Sequence, residues 1–218
     1  MSEFALPLAL SGLRPQTKAN MVMDAGKGVL NYNADYLRAT GDWVGAMDPN
    51  NGWIDPNGNL VYPQLLGATR GGTNFSIGKT ERQVEADSRR TRIKGLVRVD
   101  MIEPFADLEL LEMGSRLQLS MAIGSSIRAD HPRYSEYTPS LIVRDGDYFG
   151  NVALLATVSG ETDPMIYLLD NPRVDEIADF PLKDKNEQTV KVKLYGHALL
   201  TDPTNIPAHF FVPTVYAS

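Results

Sequence analysis

The chain has 218 residues, of which 43% are hydrophobic and 22% are charged, and it contains no cysteine. This composition excludes a disordered or collagen-like chain, and the absence of cysteine excludes a disulfide framework. The formal net charge of −6 argues against tight binding of nucleic acid, because that affinity requires an excess of Lys and Arg.

Residues 1–20 are predicted to form an extended N-terminal arm, because Pro and Gly interrupt them and they show no clean periodicity. Residues 21–218 are predicted to form a single domain. This domain starts with strand-like runs on both sides of Gly26-Lys-Gly, a sequence that favours a turn between two short strands.

A polar segment, residues 38–63, is predicted to be a long loop with a functional or interface role. It contains the turn sequences Asp48-Pro-Asn-Asn-Gly and Asp55-Pro-Asn-Gly. An ordered loop of this length is uncommon inside a compact domain, and such loops usually carry a function. The large aromatic residues of this segment are Trp43, Trp53 and Tyr62.

The centre of the chain is predicted to contain half-buried strands and one helix. Apolar residues of one parity alternate with charged residues, which is typical of a strand with one buried face. A similar alternation follows in residues 106–110. A helix that packs on a sheet is expected over about 113–123, ended by Gly124, and residues 125–140 are expected to form a loop. The apolar residues of the first alternating run are Ile93, Val97, Val99 and Met101.

Three further strands are predicted in the C-terminal part, at residues 151–158, 165–169 and 189–195. The first two are apolar throughout, and the third alternates between apolar and charged residues. Because strands dominate and only one helix is predicted, the expected fold class is mainly β (α+β), a β-sandwich or barrel with one flanking helix. No apolar run approaches the ~20 residues that a membrane-spanning helix needs, so no such segment is expected.

Two motifs resemble ligand sites, but one has the wrong spacing and the other has the wrong residue types. Five residues separate Gly72 from Gly78-Lys-Thr, whereas a P-loop has four, and Phe75 and Ile77 alternate as strand residues do. Asp55, Asn57 and Asn59 match the start of a calcium loop. However, Leu60 and Leu66 stand where that loop needs Gly and Glu, so a turn is expected.

The titratable residues give no catalytic or metal-binding pattern either. None of the three histidines has a second histidine three or four residues away, which excludes a metal pair on one helix. His197, at the end of a predicted strand, is expected to be a hydrogen-bonded structural residue. Glu109 or Glu112 is expected to cap the predicted helix. No catalytic, cofactor or metal residue is therefore assigned.

Segments of small and turn-forming residues recur through most of residues 21–213. Their order and spacing resemble the major tail tube proteins of long-tailed, non-contractile bacteriophages, although the long loop at 38–63 departs from the short connection expected there. The segments of the first half are Asp24-Ala-Gly, Leu66-Gly-Ala-Thr-Arg-Gly-Gly-Thr-Asn-Phe, Val84-Glu-Ala-Asp with Lys94-Gly-Leu, and Leu108-Glu-Leu-Leu-Glu. Those of the second half are Val152-Ala-Leu-Leu-Ala-Thr-Val-Ser-Gly, Met165-Ile-Tyr-Leu-Leu-Asp-Asn, Leu182-Lys-Asp-Lys-Asn-Glu, Val192-Lys-Leu-Tyr-Gly-His-Ala, and an end containing Phe210.

The resemblance implies a tail-tube-type β-sandwich or barrel with one flanking helix, whose subunits form hexameric rings that stack into a hollow tube. It also implies a structural virion protein of the phage tail, assembled in the host cytoplasm with other tail proteins. Double-stranded DNA would pass through the lumen without specific binding, and no enzyme activity, cofactor or metal is expected. The candidate assembly-interface residues are Trp43, Trp53 and Tyr62, and both tryptophans are expected to anchor the long loop on a neighbouring subunit.

Two other classes of protein agree with the same residues. A head-decoration, tail-terminator or baseplate protein could share the sandwich and the acidic charge, but it would not form an open stack of rings. A carbohydrate-binding β-sandwich could use the three aromatic residues of the long loop as stacking platforms.

Overall fold

Two antiparallel β-sheets form the body of the protein in a computed structural model. The structure describes residues 22–56, 58–83, 96–111, 116–158, 162–180 and 189–214. The first sheet consists of β1 (Val22–Leu30), β4 (Gln64–Leu65), β9 (Asn151–Val158), β10 (Met165–Asp170) and β13 (Ala208–Phe211), in the order β13-β10-β9-β1-β4. The second sheet consists of β5 (Thr69–Gln83), β6 (Val97–Leu110), β11 (Arg173–Val174) and β12 (Val190–Tyr195), in the order β11-β12-β6-β5.

Smaller elements flank the two sheets. Two separate hairpins are formed by β2 (Trp53–Ile54) with β3 (Leu60–Val61), and by β7 (Ser126–Asp130) with β8 (Ser135–Pro139). The helices are α1 (Ala34–Thr40) and α2 (Arg116–Ile123), with short 3-10 turns at Gly45–Met47 and Asp145–Asp147. The prediction of a mainly β fold with antiparallel sheets is confirmed.

The main hydrophobic core lies between the sheets and is built by alternating strands. On β12 and on residues 104–110 of β6 every second side chain points inward, and the charged residues between them stay outside. Helix α2 adds Met121 and Ala122 to this core, and it ends at Gly124 with a left-handed φ of 71°. The predicted flanking helix is thus confirmed over its described part. The inward residues of the two strands are Ala106, Leu108, Leu110, Val190, Val192 and Leu194.

A second hydrophobic cluster covers the outer face of the five-stranded sheet. Residues 32–47, which contain α1 and the first 3-10 turn, pack their apolar side chains on this face. As a result β9 is buried on both sides, with Val152 and Leu154 in the main core and Ala153 and Leu155 in the second cluster. This double burial explains why the strand is apolar throughout.

Helix α1 is the element of this cluster that the sequence reasoning missed, so the described residues contain two helices where one was predicted. It begins after Asn33, whose side-chain Oδ1 accepts a hydrogen bond from the Tyr36 backbone N–H at 3.0 Å. It ends at Gly41, which has a left-handed φ of 73°. Part of the expected long loop, residues 38–40, is therefore the last turn of a helix.

Two predictions of local structure are wrong. Gly26-Lys-Gly lies inside the continuous strand β1, where a register shift against β9 between Ala25 and Lys27 absorbs the irregularity. The Gly28 backbone lies close to the buried Leu66, since a Cβ atom on this glycine would be 2.6 Å from Cδ1 of Leu66 and would make that side chain shift. Residues 126–139 form the hairpin β7–β8 rather than a loop, and Pro139 is accommodated because it lies at the end of its strand.

Candidate assembly surfaces

The longest hairpin, β5–β6, continues past the part of β6 that pairs with β12. Its inner half pairs with β12 and joins the core, whereas no residue of 78–83 or 97–103 is buried. These outer residues pair only with each other within the described structure, so they form a two-stranded ribbon. At ~3.3 Å per residue, this projecting ribbon is roughly 20 Å long. An isolated ribbon of two strands has little stability in water, which makes a partner surface favourable.

In the projecting ribbon β6 alternates apolar and charged residues, whereas the residues of β5 that pair with Val97 and Val99 are Gln83 and Glu81. Val97, Val99 and Met101 share one parity on β6 and are 45%, 46% and 50% exposed. The intervening parity carries charge, and Nε of Arg82 lies 3.4 Å from a carboxylate oxygen of Asp100. The predicted alternation is therefore present on β6, and its apolar side chains are about half exposed. Val99 and Met101 line an open groove whose other wall is formed by residues of the segment 196–207. Ile93, the first residue of that run, lies outside the described residues.

The backbone edge of β5 is a second feature that favours association. β5 has 15 residues and is the last strand of its sheet. An edge strand presents unpaired N–H and C=O groups that can pair with another chain. Because this edge continues into the projecting ribbon, the apolar side chains and the free backbone groups lie on one continuous element.

The long loop brings its tryptophans back onto its own domain. Trp43 packs on the second hydrophobic cluster, and its carbonyl oxygen accepts a hydrogen bond from the Tyr32 hydroxyl at 3.4 Å. Trp53 donates its indole N–H to the carbonyl oxygen of Asn31 at 2.8 Å. The ring of Tyr62 lies so close to Gly52 that a Cβ atom on this glycine would be 2.6 Å from the ring. The Tyr62 side chain is nevertheless exposed. The structure does not join the three aromatic residues into one cluster.

Anchoring of this loop on a neighbouring subunit remains a prediction, and the exposed side chains of the loop give it a sharper location. Ile54 and Leu60 face each other across the β2–β3 hairpin, and both are more than half exposed. Tyr62 and Leu65, which follow β3 in the chain, are exposed as well.

A third exposed apolar segment follows the β7–β8 hairpin. Leu141, Ile142 and Val143 are consecutive and all exposed, and Tyr134 at the tip of the hairpin is exposed as well. The predicted loop ends at residue 140, and no prediction covers this segment, residues 141–143. Its signal in the sequence is a run of three apolar residues between Ser140 and the turn that starts at Arg144.

The residues weighed as possible ligand sites have structural contacts. Asp55 closes a turn, since its Oδ1 accepts from the Asn59 backbone N–H at 2.8 Å, and Asn57 lies outside the described residues. Nδ1 of His197 lies 3.2 Å from the carbonyl oxygen of Asn171, which confirms the prediction of a hydrogen-bonded residue. Glu109 accepts a hydrogen bond from the Thr189 hydroxyl at 2.8 Å on the sheet, so it is not a helix cap. Glu112 is also outside the described part.

No family model and no curated protein matches the chain. Among the described residues there is no helix of the length and apolarity that crossing a membrane requires. A functional proposal therefore depends on the sequence pattern, the fold and the exposed surfaces.

Proposed function

We propose that the protein is a structural virion protein, the major tail tube protein of a long-tailed, non-contractile bacteriophage. In this proposal six subunits form a ring, and the rings stack into a hollow tube through which the genome enters the host. Assembly takes place in the cytoplasm of the bacterial host together with other tail proteins, and the product is part of the phage tail. No catalytic step is involved.

The projecting ribbon is the observation that carries this proposal. A single chain gains nothing from leaving Val97, Val99 and Met101 in water, since full burial of one such side chain contributes about 1.5–3 kcal/mol. Contact with a neighbouring copy would cover these side chains and also give the ribbon the packing that two strands lack alone. The ribbon and the β5 edge are thus suited to repeated contacts between identical chains.

The separation of the apolar surfaces supports an open stack rather than a closed pair of subunits. The ribbon, the β2–β3 hairpin and the segment after β8 are distinct parts of one chain. A contact between two different surfaces of identical chains is heterologous, and such contacts generate rings or filaments. Several heterologous surfaces on one subunit provide for contacts both around a ring and between rings.

The charge of the chain agrees with DNA as a passing neighbour. Six copies of a chain with net charge −6 give −36 per ring. DNA carries one negative charge per ~1.7 Å of its axis, so an acidic tube would not hold it by phosphate contacts. Double-stranded DNA would therefore pass through the lumen without specific binding.

Negative-stain electron microscopy of the purified protein and of Val99→Asp tests the proposal. The wild type is expected to form rings and hollow tubes, and Val99→Asp is expected to stay folded but form none, because a charge cannot be buried unpaired. Thr201→Asp, which adds the same charge at an exposed turn, is the matched control and is expected to form tubes.

The same micrographs separate the alternatives. Single closed rings that do not stack would favour a terminator or baseplate protein, and particles that bind only to capsids would favour a decoration protein. Tubes formed equally well by wild type and Val99→Asp would leave the tube in place but refute the role of the ribbon.

A further inference from the structure

An apolar groove of about 310 Å³ leaves the main core open at one corner of the sandwich. It lies between β5 of one sheet and β9, β10 and β13 of the other, and no charged side chain of the described residues lines it. In the described structure β5 and β13 are each the last strand of their sheet. The core is therefore uncovered between two strand edges.

Three aromatic rings form a packed cluster in this groove. Phe75 stacks on Tyr167 with the ring centroids 5.7 Å apart, and Phe210 meets these two rings edge-on at 5.4 Å and 5.6 Å respectively. Phe210 lies on β13 and is 51% exposed, more than the other residues that line the groove. An aromatic ring that is held in place by its neighbours and half in water favours a further apolar cover.

The N-terminal segment 4–10 has a sequence pattern that suits this groove. It reads Phe-Ala-Leu-Pro-Leu-Ala-Leu, so large apolar residues occupy the even positions and Ala or Pro occupies the odd positions. In an extended chain the side chains of one parity lie on one face. The even residues would therefore present one continuous apolar face, and the segment carries no charged side chain whose burial would be costly.

The position of Pro7 agrees with a strand added at the edge of a sheet. The backbone N–H groups of alternate residues point to the same side of a strand, so those of the even residues can pair with β13 while those of the odd residues point to solvent. Pro7 lacks its N–H at an odd position, where a sheet edge tolerates proline. Its ring also hinders pairing with a further strand at the new edge.

The length of chain before β1 allows segment 4–10 to reach the groove of its own subunit. Val22, the first described residue, pairs with Val158, and Val158 is two residues along β9 from Ala156 in the groove wall. At ~3.3 Å per residue and ~4.8 Å between strands, Val22 lies roughly 10 Å from the groove. Eleven residues separate Leu10 from Val22, and at ~3.3 Å per step they allow a reach of about 40 Å.

We propose that residues 4–10 lie in this groove of their own subunit as an additional strand beside β13. The side chains of the even residues cover Phe210 and its two aromatic neighbours, and they close the open corner of the core. The proposal is independent of tube formation, because the segment and the groove belong to one chain.

Disulfide trapping tests the proposal on the full chain, which has no native cysteine to interfere. The groove side receives Ile77→Cys on β5 or Ala208→Cys on β13, the latter at the same parity as Phe210. At least one double variant with a cysteine at an even position is expected to close an intramolecular disulfide under mild oxidation, because closure requires Cβ atoms within about 4.5 Å. Non-reducing electrophoresis and the intact mass detect closure. The segment side receives one of Phe4→Cys, Leu6→Cys, Leu8→Cys and Leu10→Cys.

The odd positions of the same segment provide the matched controls. Ala5→Cys and Ala9→Cys, combined with the same two groove cysteines, are expected to stay reduced over the same period because they face solvent. Closure at odd positions as fast as at even positions would overturn the proposal, and so would the absence of closure in every double variant. Disulfide-linked dimers in place of the intramolecular product would assign the segment to a second copy and overturn its placement in its own subunit.

Hydrogen exchange followed by mass spectrometry gives an independent readout without cysteines. Leu6→Asp combined with Leu8→Asp is expected to release the segment, so that the amides of residues 208–211 at the freed edge take up deuterium faster than in the wild type. Ala5→Asp combined with Ala9→Asp adds the same charge on the solvent side and is expected to leave this uptake unchanged. Equal uptake in the wild type and both double variants would overturn the proposal.

Discussion

Leu168→Ala and Leu169→Ala form a matched pair that tests the burial of the five-stranded sheet on both faces. The two residues are neighbours on β10 and are 1% and 0% exposed. Leu169 lies in the main core, whereas Leu168 lies in the second cluster beneath residues 32–47. Because both side chains are fully buried, each truncation loses the transfer free energy of the side chain and leaves a cavity, at a cost of about 2–5 kcal/mol.

Urea unfolding followed by far-UV circular dichroism measures both costs. The two variants are expected to lose comparable free energies of unfolding in urea. In thermal unfolding followed by the same signal, Tm is expected to fall by about 2–4 °C for each kcal/mol lost. Leu168→Ala is also expected to shift the emission of Trp43, which packs in the same cluster. A cost below about 0.5 kcal/mol for Leu168→Ala beside a large cost for Leu169→Ala would show that the outer face is solvent-exposed and refute the packing of residues 32–47.

Two other predictions concern a buried tyrosine and a helix end. Burial and, to a smaller extent, the negative charge of Asp42 raise the pKa of the Tyr32 hydroxyl above its usual 10.0. The contribution of the neutral Tyr32 side chain to stability is therefore complete below pH 10 and is lost as the pH rises further. The free energy of unfolding should fall more between pH 8 and pH 11 in wild type than in Tyr32→Phe; an equal fall would contradict this. Gly124→Ala should lower the free energy of unfolding in urea by about 1–2 kcal/mol, because the φ of Gly124 is 71° and a Cβ atom would lie 3.2 Å from a carbonyl oxygen. Gly146→Ala is the control and should leave the free energy of unfolding unchanged, because a Cβ atom there would meet nothing within 4 Å. Equal costs would refute the requirement for glycine at the helix end.

The strands of the core could be predicted because their burial is encoded locally. In β12 apolar and charged residues alternate, so one face must be inside whatever the partner is. For β9 the apolar run predicts a strand buried on both sides, but nothing in the run identifies the segment that covers its second face. That segment, residues 32–47, lies more than a hundred residues away in the sequence.

The elements that were missed have weak or conflicting local signals. Helix α1 is only seven residues long and runs into a turn-rich region, although Asn33 and Gly41 are recognisable end signals. The prolines of hairpin β7–β8 favour a loop in the sequence, but Pro132 lies in the turn and Pro139 at a strand end, where a missing N–H is tolerated.

The candidate surfaces depend on information that a single chain does not contain locally. The alternation at Val97 and Val99 fixes which residues share a face, yet their exposure depends on whether a partner covers that face. The pairing of Asn151 with Asp170 is set by the register of β9 against β10, and no spacing motif in the sequence indicates it.

The symmetry and mass of the assembled particle test the central proposal most directly. Cryo-electron microscopy of purified wild-type protein, combined with mass measurement of its smallest closed particle, is expected to show hollow tubes with six-fold symmetry. The corresponding ring mass is about 144 kDa, six times 24.0 kDa. Particles of about 24 kDa at every concentration, with no ring in any virion preparation, would contradict the account.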